Sequence, residues 1–169
     1  MRKTKYIIGI LIALLIAFAL TGVVNRSVEF SDELYINRPV KIVYFAMMNP
    51  MKMDAWVQGF ERLESLDGFL NGPGSRYLLT LRIGKRKVVV MEEVTSFNWK
   101  EDLGLKFDFG HMIMETMIIF QEEGEGTRLL VETKVTGNGI LSSSMITFTK
   151  PIIRKHFVTN FTNLKLMLE

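Results

Sequence analysis

Glu92 and Glu93 follow the run Val88-Val89-Val90, and Glu115 stands among Met112, Ile113, Met114, Met117 and Ile118. A carboxyl group in apolar surroundings loses the solvation of its charged form. Its pKa then rises, and it can exchange protons near neutrality. These three glutamates are therefore the candidates for general acid or base. Strand geometry restricts them, because neighbouring residues point to opposite faces. One of Glu92 and Glu93 must face inward and the other outward. Glu115 points outward with His111 if Met112, Met114, Thr116, Ile118 and Phe120 face in. The inward glutamate has three uses: a catalyst, a polar anchor for a ligand, or a partner for an arginine such as Arg76 or Arg82.

Other chemistries find less support. There are two histidines, His111 and His156, and neither has a second histidine one helical turn away, so no metal site is expected. The absence of cysteine excludes thiolate zinc sites, iron–sulfur clusters, cysteine nucleophiles, disulfides and anchoring through a lipidated cysteine. Ser142-Ser143-Ser144 lacks the strand-turn-helix context of an activated nucleophile and is expected to N-cap a helix. Gly72-Pro73-Gly74 and Gly124-Glu125-Gly126 precede strands, whereas a phosphate-binding loop leads into a helix. No cofactor is expected.

The elements that must position these residues begin with a membrane-directed segment. Tyr6 to Val24 is a nineteen-residue run without a charged side chain, preceded by Arg2, Lys3 and Lys5. At about 1.5 Å per residue it reaches roughly 28 Å, close to the hydrocarbon thickness of a bilayer. A cleavable secretory signal has a similar layout, with Ala17-Phe18-Ala19 as the best cleavage point, but the apolar character continues past it to Val24. The expected layout is a basic cytoplasmic tail (1–5), a single transmembrane anchor (6–24) and an extracytoplasmic domain (25–169). The basic residues ahead of the span and Glu29, Asp32 and Glu33 behind it favour this orientation in the cytoplasmic membrane. Secretion after cleavage is the alternative. Three of the 21 basic residues precede the run and all 18 acids follow it, so the body is electrically balanced. The sequence pI of 9.2 thus belongs to the tail and gives no ground for a nucleic-acid partner. Lys85-Arg86-Lys87, and Lys150 with Arg154 and Lys155, are modest basic clusters. Near anionic headgroups each charge would add on the order of 1 kcal/mol.

Within the body, Arg26 to Ile36 predicts a strand, Pro39 to Met48 a short helix, and Met51 to Trp56 a second one. Val57 to Leu66 reads as a strand, followed by a turn cluster at Asp67-Gly68 and Asn71 to Gly74. Period-two alternation then predicts strands at Arg76 to Ile83, Arg86 to Phe97, Trp99 to Phe109, Gly110 to about Gln121, and Thr127 to Thr136. Short turns between them make an antiparallel meander. From Ser144 onward, Ile146, Ile153, Phe157, Phe161, Leu164 and Leu168 recur at helical spacing. Pro151 is expected to kink that helix or divide it.

This order, with Tyr35-Ile36-Asn37-Arg38-Pro39-Val40-Lys41-Ile42-Val43-Tyr44, Trp56, and the ending Lys150-Pro151-Ile152-Ile153-Arg154-Lys155 … Asn163-Leu164-Lys165, resembles the SRPBCC superfamily. That group holds the StAR-related lipid-transfer domains, the birch pollen allergen family and the polyketide cyclase/dehydrase-like proteins. The resemblance covers Ser27 to Glu169 and implies an α+β helix-grip fold: a curved antiparallel sheet wrapped around a long C-terminal helix, with two short helices after the first strand. It further implies a cavity for a hydrophobic small molecule or lipid. Residues expected to line it are Phe45, Met48, Trp56, Phe60, Tyr77, Leu79, Leu81, Phe107, Phe109, Met112, Met114, Phe157 and Phe161, the methionines giving it an adaptable wall. Three functions remain open: a membrane-anchored binding or transfer module, a cyclase/dehydrase-like enzyme using Glu92, Glu93 or Glu115, and a cavity-free envelope interaction domain.

Overall fold

The computed structural model describes residues 2–67 and 72–169, with side chains from Thr4 onward. Gly68 and Asn71 of the expected turn cluster lie outside the described residues. Helix α1 (Arg2–Val24) carries the apolar run. It is followed by β1 (Ser27–Ile36), α2 (Val40–Met48), a 3-10 turn at Pro50–Lys52 and α3 (Met53–Trp56). Then come β2 (Phe60–Ser65), β3 (Arg76–Ile83), β4 (Arg86–Asn98), β5 (Asp102–Asp108), β6 (Met112–Glu123), β7 (Gly126–Gly137) and α4 (Ile140–Leu168). The seven strands form one antiparallel sheet in the order β1-β7-β6-β5-β4-β3-β2. This is the helix-grip architecture, with the first strand returning to pair with the last.

Local chemistry explains the joints. Pro39 precedes the first turn of α2, and its carbonyl accepts from Ile42 N and Val43 N. The Asn49 side chain accepts from Met51 N and starts the 3-10 turn. Gly84 and Gly124 take left-handed φ values of 62° and 61° at two hairpin turns, a conformation that costs glycine little.

Three expectations need correction. The strand expected from Trp99 begins only at Asp102, because Asn98 to Glu101 turn the chain, with Lys100 at φ 64°. The Asp102 carboxylate clamps that turn by accepting from Ser96 Oγ and from Asn98 Nδ2. Ser142 to Ser144 do not cap α4: the cap position is Gly139, without a side-chain hydrogen bond, and Ser143 and Ser144 are buried inside the first turns. The glycines of the preceding Gly137-Asn138-Gly139 let the helix start earlier than its apolar periodicity suggests. Finally, of the two outcomes expected at Pro151, division does not occur: α4 continues through it as one helix. Ile146 before the proline and Ile153 and Phe157 after it pack into the same apolar cluster, which holds both halves in register despite the missing N–H.

Curvature has an identifiable device. The β4–β5 pairing shifts register between Val94 and Ser96, opposite Gly104. A Cβ on Gly104 would stand 2.5 Å from Thr95 Oγ1 and 3.0 Å from Ser96 N, so the bulge exists because glycine leaves room for it. Gly104→Val is expected to lower stability by about 2 kcal/mol or more, read as an earlier urea midpoint at unchanged slope.

The sheet grips α4 from the middle of β1 and from its C-terminal end. Arg154 pairs with Asp32 at 2.7 Å. Near the C-terminus, Lys165 Nζ donates to Tyr35 O at 2.7 Å, Arg38 Nε to Leu168 O at 2.6 Å, and Asn37 N to the Glu169 carboxylate at 2.7 Å. Between these ties the inner face of the sheet meets α4, and the apolar side chains there form two clusters. The larger one contains Ile36, Tyr44, Trp56, Tyr77, Ile118, Leu129, Phe161 and Leu164, and the smaller one Met114, Val135 and Ile146. Phe157 packs against both.

Candidate ligand-binding site

Cross-strand pairing places Tyr77 opposite Glu92, Glu92 opposite Phe107, Phe107 opposite Met114 and Met114 opposite Val135. Paired residues share a face, so these five form one row across the concave side of the sheet. Tyr77 belongs to the larger apolar cluster, while Phe107, Met114 and Val135 belong to the smaller. Glu92 therefore stands at the seam between the two. It is 7% exposed, and burial pushes its carboxyl up to about 7. At neutral pH this group is shared between acid and carboxylate, able to donate a hydrogen bond as well as accept one.

The next row toward the β3–β4 hairpin pairs Leu79 with Val90 on the same inner face. Both are buried, yet among the described residues neither joins either cluster. Further toward that end, the inward-facing Leu81, Phe109 and Met112 are only half-buried, as are Phe107 in the Glu92 row and Phe157 on α4. On the other side of Glu92, Thr116 and Thr133 are buried in the following row and their hydroxyls lie 3.3 Å apart. Two donors in the larger cluster, Tyr44 Oη and Trp56 Nε1, are buried without an acceptor among the described residues.

The expected lining residues divide accordingly. Trp56, Tyr77, Leu79, Met114 and Phe161 are buried, and Met48, Leu81, Phe107, Phe109, Met112 and Phe157 are half-buried. Phe60 pairs with Leu81 at the edge of the same face. Phe45 stands apart: it lies on the outer side of α2, 53% exposed, with its ring against Trp99 at 5.1 Å. Of the glutamates, Glu93 faces outward near Lys106 at 4.0 Å. Glu115 is exposed between Lys106 and Lys134 on the outer face. The arginines considered for the inward glutamate are engaged elsewhere, Arg76 with Asp67 and Arg82 with Glu61. His111 is exposed, and His156 Nδ1 lies 2.9 Å from Gln58 Oε1. No group of three metal-ligating side chains occurs among the described residues.

Val90, Thr116 and Thr133 join the inner rows without being among the expected lining residues. Alternation alone finds Val90, two residues from Glu92. Open hollows among the described residues include one of about 510 Å³ around Asn37, Val40 and Glu125, and one of about 700 Å³ bordered by Phe30, Leu105, Thr116 and Thr133 as well as by Glu29, Glu115, Glu132 and Lys134. Their charged borders suit solvent better than an apolar molecule.

No protein-family model and no curated protein matches the chain by sequence. Solved structures do match by shape. The crystal structure of Ara h 8.0201 aligns at a TM-score of 0.72 with 11% identity, covering 84% of this chain and 97% of that one. The protein TTHA0849 from Thermus thermophilus aligns at 0.68 with 18% identity, over 83% and 97%. The di-domain ARO/CYC protein StfQ from the steffimycin biosynthetic pathway aligns at 0.69 with 12% identity, over 85% of this chain and 51% of StfQ. All three alignments leave about the length of α1 uncovered, and what they share with this chain is the seven-stranded sheet closed on its last helix. The body of the chain has the helix-grip fold.

Proposed function

We propose that this chain is a membrane-tethered module that holds an apolar small molecule or lipid between the sheet and α4 and exchanges it with the adjoining bilayer. The observation that carries the reading is the seam at Glu92. A single buried carboxyl divides two apolar clusters, beside Leu79 and Val90, which join neither. An occupant with an apolar body and one polar group would lie along the Leu79–Val90 row once the side chains packed over these buried residues move aside, and would meet the proton-sharing carboxyl with its head.

The tether in this reading is α1, whose Thr4–Val24 segment has a mean hydropathy of 2.9 and the length of a membrane span. Residues 1–5 would be the cytoplasmic tail, 6–24 the anchor and 25–169 the binding domain. Holding the domain at the surface raises its effective concentration around a ligand that partitions into lipid. A signal sequence removed after export remains the alternative for this segment. A second reading, acid–base catalysis on a hydrophobic substrate, is favoured by the raised pKa of Glu92 alone. Binding is preferred because Thr116 and Thr133, the buried hydroxyls of the neighbouring row, bond to each other.

Photolabelling tests the site. With the full chain in lipid nanodiscs and a diazirine-bearing fatty acid as probe, adducts are expected on the β3–β5 peptides that carry Leu79, Val90 and Phe107. Adducts confined to α1 and the outer surface of α4 would contradict an internal site.

A further inference from the structure

Residues Thr4 to Ala17 of α1 are exposed around the whole helix, whereas Phe18, Ala19 and Thr21 are half-buried and Gly22 is buried. The first turns of α4 cover them. Ser144 Oγ donates to Phe18 O at 2.7 Å. The rings of Phe18 and Phe148 stack with centroids 5.6 Å apart and 16° between their planes. A Cβ on Gly22 would collide with Ile140 O and lie 2.7 Å from Ser144 N, so the backbones touch because this residue is glycine. Gly22 meets Ile140 and Ser144 while Phe18 meets Ser144 and Phe148, so the two helices run antiparallel here.

Beside this contact α4 exposes an apolar stripe. Leu141, Met145, Phe148 and Ile152 are 63%, 55%, 60% and 59% exposed, and spacings of four, three and four put them on one face. Across its 29 residues α4 contains no acid, while Lys150 lies between Phe148 and Ile152 of the stripe and Arg154 and Lys155 follow it. Arg154 is paired with Asp32.

Depth links the two observations. The apolar part of α1 that is free of the domain, Tyr6 to Ala17, has twelve residues and spans only about 18 Å at ~1.5 Å each. A hydrocarbon core of about 30 Å leaves roughly 12 Å to be crossed, which Phe18 to Val24 nearly supply. An α1 that spans the bilayer therefore draws the α4 turns clamped to Phe18 and Gly22 down to the acyl chains.

We propose that the Leu141–Met145–Phe148–Ile152 face of α4 is a lipid-contacting surface, immersed in the edge of the same bilayer that α1 crosses. The Gly22–Ser144 contact then fixes the orientation of the domain. This rests on the anchor part of the proposed function and adds the side of the domain that meets the lipid.

Because the chain has no cysteine, single sites can be labelled in the full-length protein. Leu141→Cys, Met145→Cys, Phe148→Cys and Ile152→Cys, with Thr162→Cys as an exposed control further along α4, would each carry an environment-sensitive nitrobenzoxadiazole. The host is a vesicle of phosphatidylcholine and phosphatidylglycerol. The four stripe positions are expected to be quenched at least about threefold more by brominated lipid than by iodide, with the reverse at Thr162. Iodide access at the stripe equal to that at Thr162 would overturn the proposal. Protection from both quenchers would overturn it too, placing a protein partner on the face instead. Gly22→Leu should separate the helices and cut lipid quenching at Phe148→Cys by about half or more; unchanged quenching would remove α1 docking from the account. Alkaline carbonate extraction of the same vesicles separates the two levels: a chain that washes off overturns the anchor and this surface together, whereas iodide access in a chain that stays overturns the surface alone.

Discussion

Glu92→Gln is expected to make the protein more stable by about 3 kcal/mol at pH 8 and to change little at pH 4. Burial holds the folded-state pKa at about 7, above the ordinary 4.5. Below pH 4.5 both folded and unfolded chains carry the proton, and the group contributes no pH dependence. As pH rises from 4.5 to 7 the unfolded chain ionises while the folded chain keeps its proton, so the folded state loses stability across that window. Above 7 both forms are ionised and the full loss remains. Glutamine has nearly the same shape and never ionises, so it escapes the loss. Urea unfolding of the full chain in dodecyl maltoside, followed by the fluorescence of Trp56 and Trp99, gives the two curves. A variant equally destabilised at both pH values would mean that a cationic or donor partner holds Glu92 as a carboxylate, contrary to its place at an apolar seam.

Gly137→Val is expected to cost about 3 kcal/mol or more. A Cβ there would strike Ser143 N and stand 2.6 Å from Ser143 Cα and 2.7 Å from Ser142 C. These are backbone atoms of the first turn of α4, with no rotamer to retreat into. The helix would have to lift from the end of β7, loosening Ile146 from Met114 and Val135. Gly124→Ala is the contrast. Nothing lies within 4 Å of its Cβ, so only the left-handed backbone, φ 61°, is penalised, by about 1 kcal/mol. Similar costs for the two, measured as thermal midpoints, would contradict close packing of α4 on β7.

Period-two alternation carries most of the sheet, since strands with one apolar and one polar face write their register into the residues. It correctly sends Glu93 and Glu115 outward once Glu92 and Met114 are inward. The limits of alternation are equally physical. The bulge at Thr95 depends on what Gly104 lacks, and the turn at Trp99 to Glu101 depends on side-chain clamps by Asp102. Neither changes the apolar pattern, so neither is visible in it. Phe45 misleads for a related reason: an apolar residue on a short helix has an inner and an outer choice, and Trp99 provides the outer one. The serines of α4 suggest a cap by residue type alone, whereas Ser144 Oγ bonds to α1, 126 residues away in the chain. That contact links two segments that each read as complete in themselves. The seam at Glu92 lies between these cases. Its inward glutamate is legible as one of a pair, but its isolation needs the structure, which commits Arg76 to Asp67 and Arg82 to Glu61.

If the helix-grip interior holds an apolar molecule taken from the membrane, that molecule should survive gentle extraction of the protein. Mass spectrometry of small molecules co-purifying with the detergent-extracted full chain looks for it, beside a truncation beginning at Asn25 and a mock purification. A lipid or isoprenoid enriched in proportion to protein in both forms is the expected result, because the binding site lies in the domain they share. Enrichment in neither form, or only in the form that retains α1, would contradict an internal carrier site.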